Sequence, residues 1–372
     1  MRQQSFDGRV GIVQRVLAPY RVPLFDTIAA RCAEGLSIFA GDPSPDEHFN
    51  RATHASVARL TDARNVHLFS GKYYLFRQPL VLDWLADWQP DIVITDANPR
   101  NLSTPSLIRW MHKRGRCVLG HGLGILPLSK GMEFLRAIGR RHHYQRFDGL
   151  IAYSELAAEQ FRGLGIADNR IFVAHNAIAG RPIGSMPGRA ESFQDRPTII
   201  FVGRLVGGKR VELLIEACAA LSEDLRPELQ IVGDGPQRAS LERLTKSLKV
   251  RAKFRGDLRD AALSEAFLES DLFVLPGLGG LSIQEAMAHA LPVVVADGDG
   301  TQYDLVRQSN GWHVIPGDLA DMTNTLRLAL SDPRRLRRMG RKSFEIVRDE
   351  INLQTMSDKV VAALNSAVAW RP

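Results

Sequence analysis

The chain is poor in cysteine and has no long hydrophobic run. Its 372 residues hold three cysteines, Cys32, Cys117 and Cys218, far apart and without a CxxC pair. That spacing excludes a disulfide framework and a cysteine-based metal site, and it fits reduced, buried thiols of a cytosolic protein. No uninterrupted apolar stretch reaches the ~20 residues that a membrane span requires. The N-terminal MRQQSFDGRV has no apolar signal core. The expected location is therefore the cytoplasm, with contact to the inner face of the cell membrane as the furthest departure from it. There is no short-period repeat, no low-complexity tract, no zinc-finger spacing and no RNP-type aromatic strand, so nucleic acid is not an expected partner.

What is present is an ordinary globular composition, 45% hydrophobic and 24% charged, with a formal net charge of +7. A basic balance points to anionic partners such as phosphorylated substrates or lipid headgroups. Single cores stop growing near roughly 250–300 residues, so two domains are expected. Short apolar runs alternate with helix-length segments almost throughout. In the first half they are Arg9–Val16, Leu36–Ala40, Asp91–Thr95, Cys117–Gly120, Leu150–Tyr153 and Ile171–Ala174. In the second they are Thr198–Gly203, Leu229–Gly233, Ala252–Gly256, Leu272–Pro276, Pro292–Ala296 and Trp312–Ile315. Strands that are apolar throughout and separated by helices imply parallel sheets covered on both faces, a doubly wound α/β pattern that occurs twice.

Asn176–Pro197, rich in proline and glycine, reads as a linker. The expected organisation is a Rossmann-like domain over 1–176, a linker over 177–197, a second Rossmann-like domain over 198–350, and a last helix within 351–372 that can cross back to the first domain. Such a pair leaves a cleft, and ligands of open α/β sheets bind beyond the carboxyl ends of the strands.

Two stretches carry the chemistry. In FVGRLVGGKR, Phe201–Arg210, a strand ends at Gly203, a loop carries Arg204 and two glycines, and Lys209 stands where a helix is expected to begin. Free N–H groups at a helix start suit a phosphate. Arg204 can add a two-pronged fork and Lys209 a mobile point charge. Either cation alone reads equally well as a solvated loop residue; their order favours a diphosphate site. In DLFVLPGLGGLSIQEAMAHALPVVVA, Asp271–Ala296, a buried strand leads through Gly277–Gly280 into a helix. Ser282 and Glu285 have capping-box spacing, so Glu285 can serve a backbone donor; in the first turn of a helix at a cleft, it can equally accept the two hydroxyls of a ribose.

The elements FVGRLVGGKRVELLIEA, LQIVGDGP, FRGDL, SDLFVLPGLGGLSIQEAMAHALPVVVAD and GWHVIPGDLADMTNTLRLALSDPRRLRRMG occur in that order over Thr198–Arg341. Together they resemble the family-4 glycosyltransferases, retaining enzymes of the GT-B architecture. The first half resembles them more loosely, through PYRVPLF, GHG at Gly120–Gly122, and IAYSELAAEQFRGLGIADNRIFVAHNAI. The resemblance implies that Arg204 and Lys209 hold a diphosphate beside Gly203, and that Glu285 holds the ribose. The loop of Gly256, Asp257 and Leu258 would receive the base, with Gly280, Leu281 and Ser282 completing the donor site and His121 facing the donor sugar. It further implies metal-independent, retaining transfer of a hexose-type sugar from a UDP- or GDP-sugar to a glycan or lipid-linked glycan, as in cell-envelope polysaccharide biosynthesis, with no cofactor. One position departs from the pattern. The family has a second glutamate eight residues before Glu285, and Gly277 stands there. Backbone N–H groups of Gly277–Gly280 can replace it; alanine is then expected to be tolerated at 277 where φ is negative, and valine to crowd the donor.

Other features read more plainly. GHGLG at Gly120–Gly124 lacks the dinucleotide spacing, and Pro127 follows before any clear helix. His121 alone would be a satisfied structural histidine; its place after a strand and between two glycines favours the catalytic reading. His142 and His143 have no acid or cysteine beside them in sequence to complete a metal site. Arg136, Arg140, Arg141 and Arg146 lie in a stretch without acids, which is a solvated face or, in a presumptive acceptor domain with Tyr20 and Arg21, a contact to an anionic membrane. Two rivals stay open: a nucleotide-sugar epimerase or phosphorylase of the same fold, and a non-catalytic binder, which the glycine at 277 favours.

Overall fold

The computed structural model describes residues 4–44, 47, 50–125, 133–193 and 195–370, the side chains of 72 and 133–138 excepted. The chain divides into two compact units, Met1–Ile178 with Leu353–Pro372, and Ala179–Asn352.

The first unit runs β1 (Val10–Val16), α1 (Val22–Ala29), β2 (Leu36–Gly41), β3 (Arg59–Asp62), β4 (Val66–Leu68), β5 (Leu75–Arg77), α2 (Val81–Trp88), β6 (Ile92–Asp96), α3 (Thr104–His112), β7 (Cys117–Gly122), α4 (Glu133–Gln145), β8 (Gly149–Ala152), α5 (Glu155–Gly163) and β9 (Ile171–Val173). Its seven-stranded sheet has the order β3-β2-β1-β6-β7-β8-β9. All these pairs are parallel, with Val10 opposite Leu36 on one side and Ile92 on the other. From β1 the chain winds outward to β3, then returns to β1's other side at β6. That reversal makes β1/β6 the switch point where a ligand can enter between diverging loops. Three strands fall outside the apolar runs. β3 (RLTD) is an edge strand with its ends exposed, and β4 and β5 form a separate antiparallel pair. Half-solvated strands need no continuous apolar run, so the pattern that marks central strands does not mark them.

The second unit runs β10 (Thr198–Val202), α6 (Val211–Ala219), β11 (Glu228–Val232), α7 (Arg238–Ser247), β12 (Ala252–Gly256), α8 (Asp260–Leu268), β13 (Leu272–Leu275), α9 (Leu281–Ala288), β14 (Val293–Ala296), α10 (Thr301–Leu305), β15 (Gly311–Val314), α11 (Leu319–Leu330) and α12 (Pro333–Asp349). Six parallel strands are ordered β12-β11-β10-β13-β14-β15, with the reversal between β10 and β13. Central strands such as VVVA of β14 are fully buried, as a sheet covered on both faces demands. The proline-rich segment before β10 is no free tether. Arg189 donates to the carbonyls of Ser270, Phe267 and His289 at 2.8–3.0 Å, and Phe193 packs on the core of this unit.

The last helix, α13 (Leu353–Ala369), packs on the first unit. Its Met356, Val360, Val361, Leu364 and Ala367 join Val10, Ile12, Ile38 and Ile92 in one core. Arg31 reaches it through Ser357 Oγ at 3.0 Å and Asp358 Oδ1 at 2.7 Å. All three cysteines are free and buried, and burial pushes the Cys32 and Cys218 thiols up to about 12. Among the described residues no helix is long and apolar enough to cross a membrane. Leu364, fully buried, is the strongest anchor of α13. Leu364→Ala should cost about 2–5 kcal/mol in urea unfolding, whereas Lys359→Ala on the exposed face should stay within about 0.5 kcal/mol. Equal effects would show that α13 contributes no buried anchor.

Candidate functional site

In the second unit the loops at the reversal between β10 and β13 interlock through main chain. Gly203 N–H donates to the Val232 carbonyl at 3.0 Å, and Leu205 N–H to that of Asp234 at 2.9 Å. Gly233 has φ +125°, and a Cβ there would overlap the Gly203 carbonyl oxygen. Only glycine combines that backbone conformation with that approach. After β10, Gly207–Lys209 forms a 3-10 turn and Arg210 takes a left-handed φ of 52°. The helix α6 therefore starts at Val211 rather than at Lys209, which sits on the turn before it.

The loop after β13 lies on that turn. Leu278 N–H donates to the Gly208 carbonyl at 2.9 Å, and Lys209 Nζ donates to the Leu278 carbonyl. A Cβ at Gly277 would overlap the Gly208 oxygen and stand 2.7 Å from that of Lys209. Glycine at 277 is thus a packing requirement, and the expectation that alanine fits there is corrected. φ at 277 is not positive, yet there is no room for a methyl group against rigid main chain. Lys209 is half-buried; burial lowers its pKa from the usual lysine range, and the nearby Asp299 carboxylate opposes the shift. An ammonium has three donors, and the Leu278 carbonyl takes one. Arg204 is exposed and makes no side-chain hydrogen bond or ion pair with the described residues. Gly203 and the Gly277–Gly280 loop both border the Lys209 side chain, so these predicted residues do come together.

Glu285 is not a cap. The helix α9 begins at Leu281 with Gly280 as N-cap and no side-chain cap bond, which puts Ser282 inside the first turn and Glu285 beyond it. Its carboxylate is half-buried, has no hydrogen-bonding or ionic partner among the described residues, and is raised above the ordinary glutamate pKa by burial. A carboxylate desolvated without a donor costs stability, so something other than the fold has to account for it. At the end of β12, Asp257 pairs with Arg259 at 2.8 Å, Leu258 packs against the core, and the Gly256 carbonyl accepts from Gly233 N–H at 2.7 Å.

In the first unit a cavity of about 710 Å³ opens at the switch point. The carboxyl ends of β1, β6 and β7 supply Gln14, Asp96 and His121, and the following loops supply Tyr20, Arg21, Asn98 and Arg100. His121 is 8% exposed; its Nε2 lies 2.8 Å from Gln14 Nε2 and its Nδ1 2.7 Å from the Tyr153 hydroxyl. Burial, helped by the Arg21 charge, pushes its pKa down to about 3. A neutral ring has one N–H, so with the Gln14 amide donating to Nε2, Nδ1–H donates to Tyr153. The Tyr153 proton is then left for another acceptor. His121 is a ring with both nitrogens engaged, which holds Tyr153 in place and is not a proton carrier at neutral pH.

Asp96 is in register with His121 across β6 and β7 and accepts from Asn98 N–H at 3.1 Å. Burial pushes its pKa up to about 6 against the opposing Asn98 bond and Arg15 charge. Sequence reasoning missed Asp96, Asn98 and Arg100, although DANPR follows a buried strand and the carboxyl-end rule would have marked it. Tyr20 and Arg21 are brought to this cavity. On α4, Arg140 lines the cavity and Arg141 is exposed beside Gly165; Arg146, just after that helix, lines a separate groove with Arg109 and Lys113. The Arg136 side chain and Pro127 lie outside the described residues. His143 is used by the Ala97 carbonyl at 3.0 Å, and no described group of three or more His, Cys, Asp or Glu could hold a metal ion.

Residues 36–179 match the family model Glycosyltransferase Family 4, and residues 186–345 match Glycosyl transferases group 1. The GDP-mannose-dependent alpha-mannosyltransferase of Mycolicibacterium smegmatis is 38% identical over 251 residues, 62% of this chain and 61% of that protein. The lipopolysaccharide core biosynthesis glycosyltransferase LpsE of Rhizobium meliloti is 24% identical over 76% of this chain and 87% of its own length. Several curated relatives are matched over less than two thirds of their length, from 34% to 61%. Among solved structures, HepE of Anabaena in complex with UDP superposes with a TM-score of 0.70 at 16% identity, over 96% of this chain and 99% of that one. By its two matched domains and its two parallel-sheet Rossmann-like units, the chain belongs to the glycosyltransferases of group 1 and family 4, in the GT-B architecture.

Proposed function

We propose that the chain is a retaining, metal-independent hexosyltransferase that takes a sugar from a nucleotide diphosphate and passes it to a glycan or lipid-linked glycan. The observation that carries this reading is the under-satisfied charge at the β10/β13 switch point. Lys209 has spare donors over the glycine loop, Arg204 is unpaired, and the Glu285 carboxylate is desolvated without a partner. A nucleoside diphosphate complements all three, with its phosphates on the cations and its ribose hydroxyls on the carboxylate. Arg204 and Lys209 would take up the charge that develops on the leaving diphosphate, a role metals fill in other sites. The printed name of the mycobacterial relative makes GDP-mannose the first donor to test, with UDP-sugars next because HepE was solved with UDP. That of LpsE supports a place in cell-envelope glycan synthesis. A cytoplasmic site of action fits such donors. Peripheral contact with an anionic membrane through Arg136, Arg140, Arg141 and Arg146 belongs to the same reading. The rival is a non-catalytic binder, favoured by the absence of any side chain at 277; release of nucleoside diphosphate from a panel of GDP- and UDP-sugars, with and without glycan acceptors, decides between them. Binding without transfer or hydrolysis would favour the binder.

Arg204→Ala and Lys209→Ala should each lower kcat/KM at least tenfold, about 1.4 kcal/mol, with little change in Tm. Titration calorimetry showing wild-type affinity for the nucleoside diphosphate in both variants would refute the assignment. Glu285→Gln separates binding from folding. The raised pKa means that the ionised form is disfavoured in the fold, so stability falls as pH rises from the ordinary glutamate range through the folded value. The neutral amide removes that penalty: Tm at pH 7 should hold or rise while nucleotide affinity drops. A lower Tm with unchanged affinity would make Glu285 structural. Gly277→Ala should cost about 1–3 kcal/mol and weaken donor binding, because the methyl group displaces the turn that carries Lys209. A Tm and nucleotide affinity equal to wild type would show that the loop has room.

A further inference from the structure

Two cations around the first unit's cavity are not neutralised by any described carboxylate. Arg21 and Arg100 line it together with Asp96, and neither arginine forms an ion pair with any described carboxylate. Arg21 is fixed in place: Nη2 donates to Asn176 Oδ1 at 2.6 Å, and the guanidinium stacks over Tyr153 and Tyr20 at 5.3 and 5.7 Å. Its Nη1 is nonetheless buried with no acceptor. A charged donor left unfilled is unfavourable, and a planar guanidinium lining a cavity suits an oxyanion. Arg100 is half-buried on the loop after β6, with no side-chain partner among the described residues. Asp96 accepts only from a backbone N–H and has oxygen lone pairs left for a hydroxyl. A cavity with unpaired cations and an unpaired acceptor suits a molecule bearing both an anionic group and hydroxyls.

We propose that the acceptor is an anionic sugar or polyol, carrying a phosphate or a carboxylate, whose oxyanion is held by Arg21 and Arg100 and one of whose hydroxyls is held by Asp96. This deepens the transferase reading and rests on it, since the donor's diphosphate already has its own cations in Arg204 and Lys209.

The test is titration calorimetry on the full chain with mannose 6-phosphate, glucuronate and the neutral methyl α-mannoside. At least one of the two anions should bind tenfold or more tightly than the neutral sugar, and its affinity should fall as salt rises. Which of them binds distinguishes phosphate from carboxylate. Arg21→Gln and Arg100→Gln should each weaken the anion at least tenfold, and Arg21→Lys, which keeps the charge and loses the fork, should fall between. Arg100 has no side-chain partner to lose, so its variant remains informative where Arg21→Gln fails to fold. Failure of both anions to bind, equal affinity for anionic and neutral sugars, or an Arg100→Gln protein that binds the anion like wild type would overturn the proposal. Titration of GDP and UDP into the same preparations reads the second unit separately: its failure would sink the nucleotide-donor reading, and the anion result would still stand or fall by itself.

Discussion

The arrangement of the second unit depends on a main-chain approach that leaves no space for a side chain. The carbonyl of Gly203 occupies the place a Cβ on Gly233 would take, and those of Gly208 and Lys209 do the same to Gly277. Three loops from β10, β11 and β13 are thereby fixed against one another through main-chain contacts. The cations they carry stand at positions set by rigid backbone. Because Lys209 sits on a turn bonded directly to the loop after β13, its ammonium is preorganised, and little entropy remains to be lost when a phosphate arrives.

Stability and function pull in opposite directions at both switch points. In the second unit a desolvated Glu285 and an underused Lys209 are features that folding alone would not retain. In the first, Asp96 is pushed up to about 6 while arginines in the same cavity stay unpaired with it. By contrast, two cations of the second unit's scaffold are spent on the fold. Arg189 fills three carbonyls, and Arg337 reaches Asp271 at 2.7 Å with both side chains largely buried. Groups with spare hydrogen-bonding capacity gathered beyond the carboxyl ends of the strands are what a binding site would show.

His121 shows why position alone misleads. Its place between two glycines after a strand suggests a reacting group, and the cavity does border it. Yet Gln14 and Tyr153 take both ring nitrogens, and burial keeps the ring neutral. Its contribution is to orient the Tyr153 hydroxyl, a role that depends on a strand more than a hundred residues away in sequence.

The sequence by itself determined the two doubly wound units, the order of their central strands along the chain, the loop that carries Arg204 and Lys209, and the helix that carries Glu285. Those follow from local pattern: apolar runs of strand length, glycine clusters after them, and amphipathic helices between. Edge strand β3 escaped because solvent on one side erases the run. Tertiary structure alone decided which loops meet. Strand order puts β13 beside β10 and β7 beside β6, so Gly277 touches Lys209 and Asp96 lies opposite His121. It also decided that Glu285 is not a cap, that 277 has room only for hydrogen, and that Arg140 and Arg146 line different hollows. Burial and partner choice are set by neighbours distant in sequence, and no local spacing encodes them.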